Sequence, residues 1–188
     1  IMEIREISSI YSALPQCGAF LNIISDKSMR HVYLKGLLAS SASVFFAAVG
    51  KESEKRKEKS EKVKGKSEKS GEKSTLTSVF ILQDNDEAGY FYHDLTQILG
   101  TDNVLFFPSS YRRAVKYAQR DAANEILRTE TLSRLAAVSG NAKKRADNSE
   151  TAPFLYVVTC PEALSELVVS KRRLDERTIN IAVGDIVN

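Results

Sequence analysis

Residues 36–43, Gly-Leu-Leu-Ala-Ser-Ser-Ala-Ser, have the outline of a phosphate-binding loop that opens a helix. The motif is G-x-x-x-x-G-K-[ST]: glycine lets the backbone approach the phosphates, and lysine supplies a cation to meet them. Gly36 and Ser43 match it, but Ser41 replaces the second glycine and Ala42 replaces the lysine. Because an alanine offers no charge, the pattern predicts a degenerate loop that neither binds triphosphate tightly nor hydrolyses it.

Other arrangements that could support catalysis are weak. The two histidines, His31 and His93, have no cysteine or acid at ligand spacing, so no metal site is expected. No G-x-S-x-G nucleophile elbow is present. Asp84, Asp86 and Glu87 follow a predicted strand, where an enzyme could place acids, but helix capping explains them equally well. We therefore expect no catalytic residue, no cofactor and no small-molecule substrate.

Two basic groups are candidate contacts with nucleic acid or a partner protein. The first follows a predicted strand and could touch a phosphate backbone, although an exposed loop that begins a helix is the simpler interpretation. The second lies near the end of the sequence, where a solvated loop is the simpler interpretation. The members are Tyr111, Arg112 and Arg113 in the first group, and Lys171, Arg172, Arg173 and Arg177 in the second.

Composition indicates a soluble protein. The chain has 188 residues, of which 43% are hydrophobic, and it has neither an apolar run of membrane-spanning length nor a secretion signal. Cys17 and Cys160 are far apart and are expected to be buried, reduced thiols. These features favour a cytoplasmic protein without membrane contact.

The net charge of +3 comes from one segment. Residues 51–74 carry ten Lys or Arg and six Glu, while the rest of the chain carries 17 basic and 18 acidic residues. With Val63 as its one clearly apolar residue, the segment cannot bury enough surface to offset the entropy lost on ordering. We expect a disordered, solvated insertion, and the high pI does not by itself indicate nucleic-acid binding.

The remaining sequence alternates between strand and helix, which predicts an α/β fold with a parallel sheet covered by helices on both faces. Helices are predicted at 42–50, with Gly50 as the stop, at 84–100, from about 113 to 138 and at 161–168. Buried strands are predicted at 31–37, 76–83, 103–108 and 154–160.

We divide the chain into three parts. Residues 1–30 form a helical lead-in, 31–160 form a degenerate RecA-like, phosphate-loop domain containing the insertion at 51–74, and 161–188 begin a small second domain. The tail ends on strand-like residues, which indicates a fragment of a longer protein.

An ordered set of pieces resembles the N-terminal UvrB-homology module of bacterial transcription-repair coupling factors (Mfd). The pieces are VYLKGLLASSASVFFAAV, FILQDNDEAGYFYHDLTQILG, VLFFPSS, NEILRTETLSRLA with its R-x-x-x-L-x-x-L pattern, and FLYVVTCPEALSELVVS. The resemblance covers most of the chain outside the charged insertion. The missing loop lysine favours this family over active helicases.

The resemblance implies a helicase-like module that works by contact. Its partner would be UvrA, bound mainly through the small second domain at positions after Asn188, while other domains of the full protein would contact RNA polymerase and DNA. The tyrosine-rich hairpin with which UvrB grips damaged DNA has no counterpart of similar length here, since the sequence after Tyr111 leads almost directly into a predicted helix.

Two other functions remain open from the residues. One is a phosphate-loop ATPase or helicase fragment whose cation comes from a neighbour such as Lys35. The other is a DNA-binding module that uses the basic insertion at 51–74.

Overall fold

Three short strands form a parallel sheet, β1 (Thr77–Ile81), β2 (Val104–Phe107) and β3 (Leu155–Thr159). The computed structural model describes residues 4–26, 28–63, 77–111, 120–141 and 155–177. The strand order is β1-β3-β2, and Val157 of the central strand lies opposite both Val79 and Leu105. All five residues of β3 are buried. The prediction of a mixed α/β protein with a parallel sheet is confirmed, as are these three predicted strands.

Seven helices are found in the described ranges. They are α1 (Ile4–Ser12), α2 (Pro15–Ser25), α3 (Ser41–Val63), α4 (Asn85–Leu99), α5 (Ala122–Asn141), α6 (Pro161–Ser165) and α7 (Lys171–Arg177).

Helices pack on both faces of the sheet. On one face, Tyr92 of α4 stacks on Phe106, with ring centroids 5.1 Å apart. Phe106 and its neighbour Phe107 point to opposite sides, because successive strand residues alternate. On the other face, Arg128 of α5 lies over the Phe107 ring at 4.1 Å.

A second apolar cluster joins α1 and α2 to α3. Its fully buried members include Cys17 and Ala48. Phe46 of α3 connects this cluster to the sheet, with its ring centroid 5.1 Å from that of Phe80. The N-terminal helices are therefore continuous with the main core.

The predicted strand at 31–37 is wrong. These residues have no regular structure, and Val32, Tyr33 and Leu34 are exposed. A strand needs a neighbour with which to pair its backbone, and no strand of the described sheet pairs with this segment. The degenerate loop thus precedes a helix without following a strand.

The predicted helix stop at Gly50 is also wrong, because α3 continues to Val63. Residues 51–63, expected to be disordered, are therefore helical, and residues 64–74 lie outside the described ranges. Lys51 explains part of the difference, since its Nζ lies 3.3 Å from Ser8 Oγ and 3.5 Å from the carbonyl oxygen of Ile98.

The helix predicted from about residue 113 begins later, at Ala122. Before it, Tyr111 and Arg120 form an antiparallel bridge, and the amide of Asp121 donates to the carbonyl of Ser110 at 2.7 Å. Residues 112–119 lie outside the described ranges, but Arg120 and Asp121 are not helical, so the prediction of a helix continuous from about residue 113 is wrong. The Asp121 side chain then accepts from the amide of Ala123 at 3.0 Å, which helps to start α5 there.

Both thiols are free and buried, as predicted. Among the described residues, no single helix has the length and apolar character needed to cross a membrane. Helices α1 and α2 have that length and apolar character only when taken together, and the chain bends by 61° between them.

Candidate functional site

The degenerate loop residues come together at the start of α3. Gly36 and Ala39 both have positive φ, 86° and 47°, so the loop keeps the left-handed turns of a tight connection. Ser43 is fully buried. Its Oγ lies 2.8 Å from the carbonyl of Ser40 and 3.1 Å from Oδ2 of Asp94. The one hydroxyl retained from the motif is therefore already bound inside the protein.

A recess of about 310 Å³ lies beside this loop. Lys35, Gly36 and Ser41 line it together with mainly apolar side chains, which are Tyr11 of α1, Leu14, Leu34, Leu37 and Phe45 of α3. The Ser41 hydroxyl is buried and has no hydrogen-bond partner within the described residues. Lys35 places its Nζ 5.8 Å from the ring centroid of Tyr33. The recess thus has a lysine at its border but none in the loop itself.

The carboxyl edge of the sheet carries a second polar group of residues, beginning with the cap of α4. Asp84 accepts from the amides of Asp86 and Glu87, both at 2.9 Å. Glu87 in turn accepts from the amide of Gln83 at 2.9 Å. These reciprocal bonds are those of a helix N-terminus, so the acids at the end of β1 have a structural role.

A buried polar network lies at the ends of β2 and β3. Glu166, just after α6, accepts from Ser109 Oγ at 2.6 Å and from the amide of Ser110 at 3.0 Å. Arg128 of α5 approaches Glu166 at 3.5 Å and donates to the carbonyls of Pro108 and Ala163 at 2.7 and 3.2 Å. The network joins three separate pieces of chain at one edge of the sheet.

The side chains of Arg128 and Glu166 are only 7% and 14% exposed. Burial by itself raises the pKa of Glu166, but the hydrogen bonds from Ser109 and Ser110, with the nearby guanidinium, outweigh it and lower the pKa below its ordinary value. The carboxylate is therefore charged at neutral pH and holds the chain that leaves α6.

Sequence reasoning missed this pair. The available indication was the arginine of R-x-x-x-L-x-x-L, because Arg128 stands on the same helix stripe as the packed Leu132 and Leu135. A basic residue on a buried stripe requires an acceptor, but nothing local identifies Glu166 as one.

Of the two predicted basic groups, the structure describes the side chains of Tyr111, Arg172 and Arg173. Tyr111 is 44% exposed, and its hydroxyl bonds to the exposed Arg120, which raises the pKa of that arginine. Arg112 and Arg113 lie outside the described residues. In α7, Arg172 and Arg173 are exposed. Lys171 and Arg177 belong to the same helix, but their side chains are outside the described part.

A cleft of about 390 Å³ connects the polar network with the exposed surface. It is lined by Tyr111, Arg120, Arg128, Glu166 and three consecutive apolar residues, among others. The three apolar residues are Leu167, Val168 and Val169.

No match to this chain is found among protein-family models, functionally characterised proteins or solved structures. Within the described ranges, no group of three or more His, Cys, Asp or Glu is placed to hold a metal ion.

Proposed function

We propose that this chain is a non-catalytic, UvrB-like interaction module with a degenerate RecA-like fold. In a transcription-repair coupling factor, such a module helps to recruit UvrA and nucleotide excision repair to RNA polymerase stalled at DNA lesions. The parallel sheet with helices on both faces supports the fold proposal, and the sequence resemblance supports the partner.

The observation that carries the non-catalytic part is the environment of Ser43. In a working phosphate loop this hydroxyl serves a metal ion at the phosphates, and the preceding lysine neutralises their charge. Here Ala42 has no charge, and the Ser43 hydroxyl is within hydrogen-bonding distance of the Asp94 carboxylate. The Asp94 carboxylate next to the loop would repel phosphate. The missing lysine and this carboxylate therefore both disfavour triphosphate binding.

A nucleotide titration tests this part. We expect no saturable binding of a fluorescent ATP analogue up to about 1 mM, which corresponds to less than about 4 kcal/mol of binding free energy. The measurement is fluorescence anisotropy with magnesium present. Micromolar binding that is lost in Lys35→Ala and kept in Lys55→Ala would instead establish the alternative of a phosphate-loop ATPase that takes its cation from Lys35.

A binding assay tests the partner. Because the main UvrA contacts are expected at positions after Asn188, we expect this chain to bind immobilised UvrA weakly and to be displaced by added UvrB, since the two would share one docking mode. Absence of UvrB-displaceable binding would contradict the proposal.

The alternative DNA-binding function predicts a different result. Part of the charge of 51–63 is already used within the protein, since Arg56 donates to Asn22 at 2.9 Å and approaches Glu52 at 3.8 Å. Tight DNA binding that weakens steeply with salt would favour that alternative over the UvrA-binding module.

A further inference from the structure

We propose that an exposed strip around the end of α6 docks an extended, acidic segment of a partner protein. This inference deepens the proposed function, since it names a surface and a partner chemistry for the interaction module. The strip, which we call the docking strip, consists of Leu164, Leu167, Val168, Val169, Arg172 and Arg173.

The docking strip is held in place at its centre. Glu166 is anchored by the hydroxyl of Ser109, the amide of Ser110 and the guanidinium of Arg128. A carboxylate held by several donors in a buried position fixes the backbone on either side of it. The residue that follows therefore leaves the protein in a defined direction.

The apolar part of the strip is unusually exposed. Leu167 is fully exposed, and Val168, Val169 and Leu164 are 53%, 48% and 51% exposed. In the described part of the chain, no hydrogen bond involves the backbone of residues 167–169. Three consecutive aliphatic residues outside any helix or strand, with free main-chain groups, can receive an extended peptide: main-chain bonds provide affinity, and side chains provide selectivity.

Charge selects the occupant. The sequence 171–177 has four basic and two acidic residues, and Arg172 and Arg173 are exposed after the apolar part. Arg172 approaches Glu176 at 3.4 Å, but this pair is largely exposed to solvent and leaves Arg173 without an ion pair among the described residues. A second copy would bring like charges together, whereas an acidic segment would neutralise them. Aliphatic side chains offer no stacking surface for bases, so a polypeptide fits better than single-stranded nucleic acid.

The test uses the whole chain and two synthetic probes. A fluorescein-labelled nonapeptide that alternates valine with glutamate is titrated by anisotropy, and a valine–lysine nonapeptide is the matched control. We expect the acidic peptide to bind at least tenfold more tightly than the basic one, and salt to weaken it.

Variants locate the binding. Leu167→Ser combined with Val169→Ser is expected to reduce acidic-peptide binding at least tenfold, whereas Leu38→Ser, at a site 78% exposed, leaves it unchanged. Arg172→Glu with Arg173→Glu is expected to reverse the preference between the peptides. Circular dichroism melting confirms that each variant is folded.

Several results would overturn the inference. They are equal binding of both peptides, acidic-peptide binding that the serine variants do not weaken, a dimer that dissociates in those variants, and binding of single-stranded DNA in place of either peptide. If the chain binds the peptide but not UvrA, the proposed partner alone is overturned. If the chain binds UvrA equally well in the serine variants and does not bind the peptide, the docking strip alone is overturned.

Discussion

Arg128→Ala is expected to lower the free energy of unfolding by about 3–5 kcal/mol. The guanidinium is almost completely buried and serves the carbonyls of Pro108 and Ala163 together with the Glu166 carboxylate. Removing it leaves these acceptors with one donor fewer and leaves a mostly buried negative charge without its cation. Urea denaturation at pH 7 measures the loss.

Arg134→Ala provides the matched control on the same helix. Arg134 is 38% exposed, approaches Glu130 at 3.9 Å and donates to the Asp102 carbonyl. Because it remains in contact with solvent, its removal should cost about 1 kcal/mol or less. The double change Arg128→Met with Glu166→Gln should be less destabilising than Arg128→Ala, since it removes both charges. An Arg128→Ala effect no larger than that of Arg134→Ala would contradict the role of the network.

Gly50→Ala is expected to destabilise the protein by about 1–3 kcal/mol, although this change within a helix ordinarily stabilises it. A Cβ atom at residue 50 would lie 1.6 Å from the hydroxyl oxygen of Tyr156 and 2.9 Å from its Cζ. Tyr156 is 3% exposed and stacks on Phe80 with ring centroids 6.1 Å apart, so it cannot move aside freely. Thermal and urea unfolding measure the change.

Gly89→Ala in α4 is the matched control, because a Cβ there meets nothing within 4 Å. It should leave stability unchanged or raise it by up to about 1 kcal/mol. Tyr156→Phe should relieve part of the Gly50→Ala cost, since the oxygen is removed while Cζ stays close. A Gly50→Ala protein as stable as the Gly89→Ala protein would show that the core accommodates the added methyl.

The elements predicted correctly are those with local determinants. Helix α4 has its cap at Asp84 and its end at Gly100, whose φ is 81°. The three paired strands are short apolar runs bounded by polar or turn residues. In these segments, chemistry within a few residues is enough to choose the conformation.

The predictions that failed depend on distant partners. Residues 31–37 have the composition of a strand, but a strand exists only where a neighbour pairs with it. The sequence predicts a helix stop at Gly50 because glycine weakens helices, whereas in the structure its missing side chain makes room for Tyr156. In each case a residue far along the chain decides the outcome.

The candidate site also combines features that the sequence determines with features that only folding determines. The absence of a lysine at position 42 is a fact of the sequence, and it alone predicts a weak phosphate loop. Only the tertiary structure places Asp94 next to Ser43, and only folding brings Glu166 to Ser109 and Arg128. The reason is physical: side-chain type determines what a residue can bind, but a buried polar group takes its partner from whichever element the fold packs against it.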